Sequence, residues 1–165
     1  MSDVAFFVMR KLLKDNCSLM EHQVDCCRSL ISKRRALFVD AVGNGKSLMC
    51  LYSYSYLRSR NSVDLMVVFT PLNAYTKEIW LKDAQKFTNL RCLSIDELKK
   101  RVSSGQSVED AISDVDVLYG KHTHCKTDYA LLRDLYLLGT KLRILTVCDE
   151  THAFKSPKTE LTTTM

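Results

Sequence analysis

The stretch Ala36-Leu37-Phe38-Val39-Asp40-Ala41-Val42-Gly43-Asn44-Gly45-Lys46-Ser47 does most to limit what this chain can fold into. An apolar, β-favouring run stops at a Gly-x-Gly-Lys-Ser turn, after which Leu48, Met49, Leu51, Tyr52 and Tyr56 recur at helical spacing. Strand, loop and helix in that order is the setting in which a backbone loop cradles phosphate. Lacking a Cβ, Gly43 and Gly45 let N–H groups turn inward and approach an anion. The helix that follows points the positive end of its dipole at the same spot. Lys46 can reach terminal phosphates, and the Ser47 hydroxyl is placed to ligate Mg²⁺. The generic signature wants one more glycine, five residues before Gly45, where this chain has Asp40. Taken alone, the loop therefore leaves an ordinary glycine-rich turn open.

Around this loop the chain alternates strands and helices. Residues 1–18 read as a short amphipathic helical lead-in, with Phe6, Phe7, Met9, Leu12 and Leu13 forming one face. Leu19-Met20-Glu21-His22-Gln23 opens a helical pattern through Val24, Cys27, Leu30 and Ile31. Gln23 precedes the phosphate-loop strand, and its amide offers both a donor and an acceptor for an adenine edge. Leu65-Met66-Val67-Val68-Phe69 is a strand apolar on both faces, in the style of a buried parallel sheet. It stops at Thr70-Pro71, because proline cannot donate to a ladder. A helix is expected over 75–86 with Ile79, Trp80, Ala84 and Phe87 toward the sheet, then a short strand at Arg91–Ile95. Ser94-x-x-Glu97 and Ser107-x-x-Asp110 read as helix caps. Val115–Tyr119 alternates and breaks at Gly120, and a helix over 128–138 ends at Gly139 as a left-handed cap. Leu142–Cys148 is a buried strand running into Asp149-Glu150-Thr151-His152. This order predicts an α/β fold, a mainly parallel sheet of β-α-β crossovers flanked by helices.

Composition narrows the function classes. At 165 residues the chain supports one domain with a real core. The net charge of +5 permits a polyanionic partner without demanding one, with Lys33-Arg34-Arg35 and Lys99-Lys100-Arg101 as the main basic clusters. The seven cysteines include no Cys-x-x-Cys pair and several lie in apolar runs, which reads as reduced, buried thiols of a soluble intracellular protein. His122, His124 and Cys125 make a short ligand-like cluster without a fourth ligand at sensible spacing, so a metal there is disfavoured. No apolar run is long enough to span a membrane, so no membrane partner is expected.

An apolar strand ending in Asp149-Glu150 is the partner element a phosphate loop needs. Asp149 would hold Mg²⁺, Glu150 would polarise a water at the γ-phosphate, and His152 could couple nucleotide state to a neighbouring element. Two such elements in one α/β chain, in this order, point to a nucleoside triphosphate with Mg²⁺ as the ligand, ATP in the first place.

With these stretches in view, the whole chain resembles the first RecA-like lobe of a superfamily-two helicase, and within that superfamily the Swi/Snf-type DNA translocases. Leu19–Gln23 is similar to the Leu-x-x-His/Tyr-Gln entry motif. Asp40–Ser47 is similar to the family's Asp-Glu-Met-Gly-Leu-Gly-Lys-Thr loop, including the aspartate that spoils the generic signature. Val67-Val68-Phe69-Thr70-Pro71 with Trp80-x-x-Asp83 resembles motif Ia and its Trp-x-x-Glu helix. Asp149-Glu150-Thr151-His152-Ala153-Phe154-Lys155-Ser156 resembles Asp-Glu-Ala-His followed by a basic-polar pair. The departures are Ala41 for Glu, Asn44 for Leu, Ser47 for Thr and Asp83 for Glu. None removes a group that the chemistry requires.

The resemblance implies a lobe over 19–165, preceded by the helical lead-in. It implies an ATP site of Gln23, Gly43, Asn44, Gly45, Lys46 and Ser47, with Ser47 and Asp149 on Mg²⁺. Lys46, Asp149, Glu150 and His152 would carry the catalytic roles. Thr70, Pro71 and Asn73 would lie near a nucleic-acid backbone, duplex DNA first and RNA second, gripping phosphate without reading bases. ATP hydrolysis would then drive movement on nucleic acid. The family's motif III and second lobe, which supplies an arginine finger, are not found in these residues. The expectation is a lobe incomplete at its C-terminus, completed by a longer protein or a partner chain, with little turnover by itself. The alternative is a catalytically inactive helicase-like remnant that serves as a binding or regulatory module. A P-loop kinase is a weaker reading, since the Asp-Glu-x-His box and the motif Ia match are not what a kinase needs.

Overall fold

The computed structural model describes residues 13–14, 17–33, 35–37 and 43–150, of Thr140 the backbone only. Of the apolar run expected to lead as a strand into the phosphate loop, Ala36 and Leu37 are described and lie in no strand, while residues 38–42, most of the helical lead-in and everything from Thr151 on, His152 included, lie outside the described residues. Along the chain run α1 (Glu21–Ser32), α2 (Lys46–Ser59), β1 (Leu65–Thr70), α3 (Leu72–Thr76) and α4 (Ile79–Phe87). They are followed by β2 (Cys92–Ser94), α5 (Ile95–Ser103), α6 (Val108–Ile112), β3 (Val117–Lys121), α7 (His124–Thr127), α8 (Tyr129–Leu137), a 3₁₀ turn (Leu138–Thr140) and β4 (Ile144–Cys148). The described residues form two compact units: those up to Ser62 with Lys82–Asn89, and Val63–Leu81 with those from Leu90 on.

In the first unit Leu13, Cys27, Met49 and Tyr52 bury one another, with Leu19, Cys26, Ile31, Leu48, Tyr56 and Phe87 packed around them. The Lys14 N–H donates to the Phe87 carbonyl at 2.9 Å, which ties the entering chain down. Residues 17–20 are not helical, and α1 begins at Glu21. There the Met20 N–H donates to Gln23 Oε1 at 3.0 Å, so the glutamine side chain closes the helix start that Met20 cannot cap.

The second unit is a four-stranded, all-parallel sheet in the order β2-β3-β1-β4. All six residues of β1 are buried, as expected of an apolar strand paired on both sides. Leu65, Val67 and Phe69 share one face of β1, and they pack with Ile95, Leu98, Leu118, Leu132 and Leu135 in a single cluster. Parallel pairing sends every strand's carboxyl end to the same edge. Phe69 pairs with Gly120 on one side and Cys148 on the other, so the residues just past those positions meet there.

Both serine caps form as the sequence predicts: Ser94 Oγ accepts from the Glu97 N–H at 3.1 Å and Ser107 Oγ from the Asp110 N–H at 3.1 Å. Four expectations need correction. The single helix over 75–86 is two helices, broken at Glu78, whose φ of 53° is left-handed. The break turns Trp80 and Ala84 inward at 2% and 0% exposure and leaves Ile79, expected to face the sheet, 39% exposed. The strand expected to break at Gly120 runs through it to Lys121 and is buried rather than alternating. A Cβ on Gly120 would stand 2.4 Å from Ile95 Cδ1 and 2.6 Å from His124 Nδ1, so this glycine serves close packing, not a turn. Gly139 is no left-handed cap: α8 tightens into the 3₁₀ turn, and the Lys141 and Leu142 N–H groups both take the Leu138 carbonyl at 2.7 Å. Finally, β4 is half-buried rather than buried, because among the described residues it pairs with β1 alone. No helix among the described residues is long and apolar enough to cross a membrane.

Candidate functional site

The candidate residues fall in two groups, one in each compact unit. In the first, Gly43 and Gly45 take φ of 91° and 77°, a region L-residues enter only under strain. Gly45 is the residue from which α2 starts, and no side chain caps that start. The first N–H groups of a helix have no partner within it, so those of Lys46, Ser47 and Leu48 are the donors this end presents. A Cβ on Gly45 would meet Gln23 Nε2 at 2.6 Å, so the loop is built around a glycine for lack of room as well as for backbone angle.

Gln23, expected to read an adenine edge, is 6% exposed and works inside the protein. Its Oε1 accepts from the Met20 N–H and its Nε2 donates to the Asn44 carbonyl at 3.0 Å. One amide thus joins the start of α1 to the phosphate loop, and it keeps a second N–H and a second lone pair. The Ser47 hydroxyl, expected on Mg²⁺, lies close enough to the Asp83 carboxylate to favour its charged form. Burial raises the Asp83 pKa, opposed by that hydroxyl and by Lys86. Sequence reasoning named Asp83 only as a departure from a family glutamate. Its place one helical turn after Trp80 was the available signal.

In the second unit Asp149 follows β4 directly and is held through its N–H, its carbonyl and Oδ2. Its N–H donates to the Phe69 carbonyl at 2.8 Å, extending the ladder one step past the strand. Its Oδ2 accepts from Thr70 Oγ1 at 3.0 Å and from Trp80 Nε1 at 3.2 Å. Its carbonyl lies 2.8 Å from His122 Nε2, and since a carbonyl can only accept, that ring nitrogen carries the proton. Thr70, His122 and Asp149 each stand at or just past the end of a parallel strand, which is why they meet. Sequence reasoning assigned Asp149 but missed Trp80 and His122 as its partners. Glu150 has φ of 54°, a left-handed turn directly after the aspartate. Such backbone is costly for a non-glycine residue and is tolerated where the surroundings enforce it.

Of the three residues expected near a nucleic-acid backbone, Thr70 is 0% exposed with its hydroxyl committed to Asp149, Pro71 is half-buried and Asn73 is exposed. The basic cluster at Lys99–Arg101 is ion-paired within the protein, to Asp128, Glu97 and Asp114 in turn. His122 and His124 have protein partners too, His124 Nδ1 accepting from the Lys121 N–H at 3.2 Å.

The described architecture is similar to a solved SWI2/SNF2 ATPase core from Sulfolobus solfataricus in complex with dsDNA. The TM-score is 0.65 at 22% identity, over 90% of this chain and 29% of that one. This chain has the fold of a RecA-like ATPase lobe. It spans less than a third of the length of the protein it matches. No family model matches the sequence, and no curated protein does.

A hydroxyl at a helix start and a carboxylate at a strand end are hard oxygen ligands, suited to Mg²⁺ rather than to a softer ion. No side chain caps the start of α2, whose first residue is Lys46.

Proposed function

We propose that this chain is the ATP-binding lobe of a superfamily-two, Swi/Snf-type motor that moves on nucleic acid. What supports the reading best is the anchoring of Asp149: a strand-end carboxylate fixed by a threonine, an indole and its own backbone, in an ATPase-core fold. In this reading the N–H groups at the start of α2 and Lys46 take the phosphates, and Ser47 and Asp149 hold Mg²⁺. Bound there, the ion would neutralise charge on the phosphate oxygens. Glu150 orients the attacking water and His152 links the site to a neighbouring element. Gln23 braces the phosphate loop and offers its remaining donor and acceptor to adenine. Pro71 and Asn73 face the nucleic-acid backbone, where contacts fix position without reading sequence. Thr70 acts there only through Asp149.

The test is ATP and ADP binding by the chain with Mg²⁺, beside Lys46→Ala, and hydrolysis with and without duplex DNA. The expected result is nucleotide binding lost at least tenfold in the variant, with slow hydrolysis, because an arginine finger alone is worth about 10³-fold or more. Binding that ignores Lys46, or no binding, sinks the proposal and leaves a helicase-like binding module.

A further inference from the structure

We infer that Trp80 is a positioning residue for the nucleotide-bound metal: its indole N–H and the Thr70 hydroxyl hold Oδ2 of Asp149, and so set the oxygen they do not use for Mg²⁺. The inference rests on the function proposed above. Three observations carry it. Trp80 is 2% exposed and Thr70 0%, so both donors work out of water, where a hydrogen bond to a charged acceptor is strong and its loss is costly. Both converge on one oxygen, at 3.2 and 3.0 Å, which fixes the carboxylate's rotation and not merely its place. The backbone bends just before the indole: Glu78 adopts φ of 53° two residues earlier, and Trp80 turns inward while Ile79 is left exposed. A tryptophan needed only for packing has no reason to aim its one polar atom at the acidic strand end. Groups that orient a metal's carboxylate ligand commonly govern metal affinity by 10- to 100-fold, on the order of the effect expected here.

Trp80 is the single tryptophan of the sequence, so its emission reports on Asp149 directly. The experiment measures ADP binding by calorimetry across a Mg²⁺ titration, and again in excess EDTA, for the unaltered 165-residue chain, Trp80→Phe and Thr70→Val. Phenylalanine keeps an aromatic ring and removes the N–H; valine keeps the shape of threonine and removes the hydroxyl. Expected is a Mg²⁺ midpoint raised about tenfold in each variant, with metal-free ADP affinity unchanged. In the unaltered chain Mg²⁺ with ADP should shift tryptophan emission, and ADP in EDTA should not. Where Trp80→Phe does not fold, Thr70→Val and the emission of the unaltered chain decide. A Mg²⁺ midpoint within twofold of the unaltered chain in the folded variants, or an emission indifferent to Mg²⁺ when ADP is bound, overturns the inference alone. No ADP binding by the unaltered chain overturns the proposed function and the inference with it.

Discussion

A methyl group on Gly120 would have nowhere to go. It would need Ile95 and the His124 ring to move aside by more than half an ångström each, inside a fully packed face. Gly120→Ala is therefore expected to lower stability by about 1–3 kcal/mol, the usual cost of overpacking. Urea unfolding monitored by circular dichroism measures it, and a loss below 0.5 kcal/mol (roughly the scatter of surface substitutions) would show that the face has slack. The same position marks where single-residue reading reaches its limit. Glycine at 120 reads as a break because a missing side chain is common in turns; here it is missing because β3 lies against Ile95 and His124. Gly43 and Gly45 were legible because a lysine and a serine follow at fixed spacing. Gln23 was not legible as a brace, since its use of the Asn44 carbonyl depends on where α1 docks.

At the scale of elements, local rules that involve only a few neighbours carried over. Ser94 and Ser107 cap α5 and α6 as their spacing demands. Ser94→Ala leaves the Glu97 N–H without its acceptor and should cost about 1 kcal/mol. Because α5 buries Ile95 and Leu98, that cost should appear in the unfolding of the sheet and not as local fraying. Amide exchange separates the two: equal losses of protection in α5 and β3 are expected, and a loss confined to the first turn of α5 would refute the coupling. The helix after β1 was the failure. Its apolar spacing is continuous from Tyr75 to Phe87, and nothing in that spacing foretells a left-handed Glu78. The bend goes with the hydrogen bond from Trp80 to Asp149, a contact across 69 residues of sequence that local spacing does not encode.

At the scale of the whole molecule, the parallel sheet was legible because alternating apolar strands and helices permit little else, whereas the partners of Asp149 follow only from knowing which strand ends lie side by side. The packing beside β3 also carries a pH dependence. Burial lowers the pKa of His124 below its ordinary 6.5, with Asp96 and Asp128 pulling the other way and Lys121 and Lys99 adding to the drop. Below about pH 6.5 the unfolded chain takes up a proton that the native ring resists, so stability should fall as pH drops from about 7 toward 5 and level off once the native ring is charged. Asp96, held below its ordinary 3.8 first by the Tyr75 hydroxyl, acts in a separate and lower window, its contribution fading only as that carboxyl protonates. His124→Gln, which keeps an acceptor for the Lys121 N–H, should flatten the dependence between pH 7 and 5, read from urea midpoints. An unaltered slope would place the titration elsewhere.

The strand order has a consequence for how the chain is made. β1 lies at the centre of the sheet, yet both of its partners come later: Met66 pairs with Val117 and with Leu145. At a synthesis rate of about 5–20 residues per second, β1 leaves the ribosome roughly 2–10 s before β3 is available to it, and β4 follows later still. Six consecutive residues that end up wholly out of water spend that interval with no sheet to join. Such a sequence depends on its nascent environment more than its modest size would suggest, and the demand comes from the order in which its strands are spoken rather than from their number.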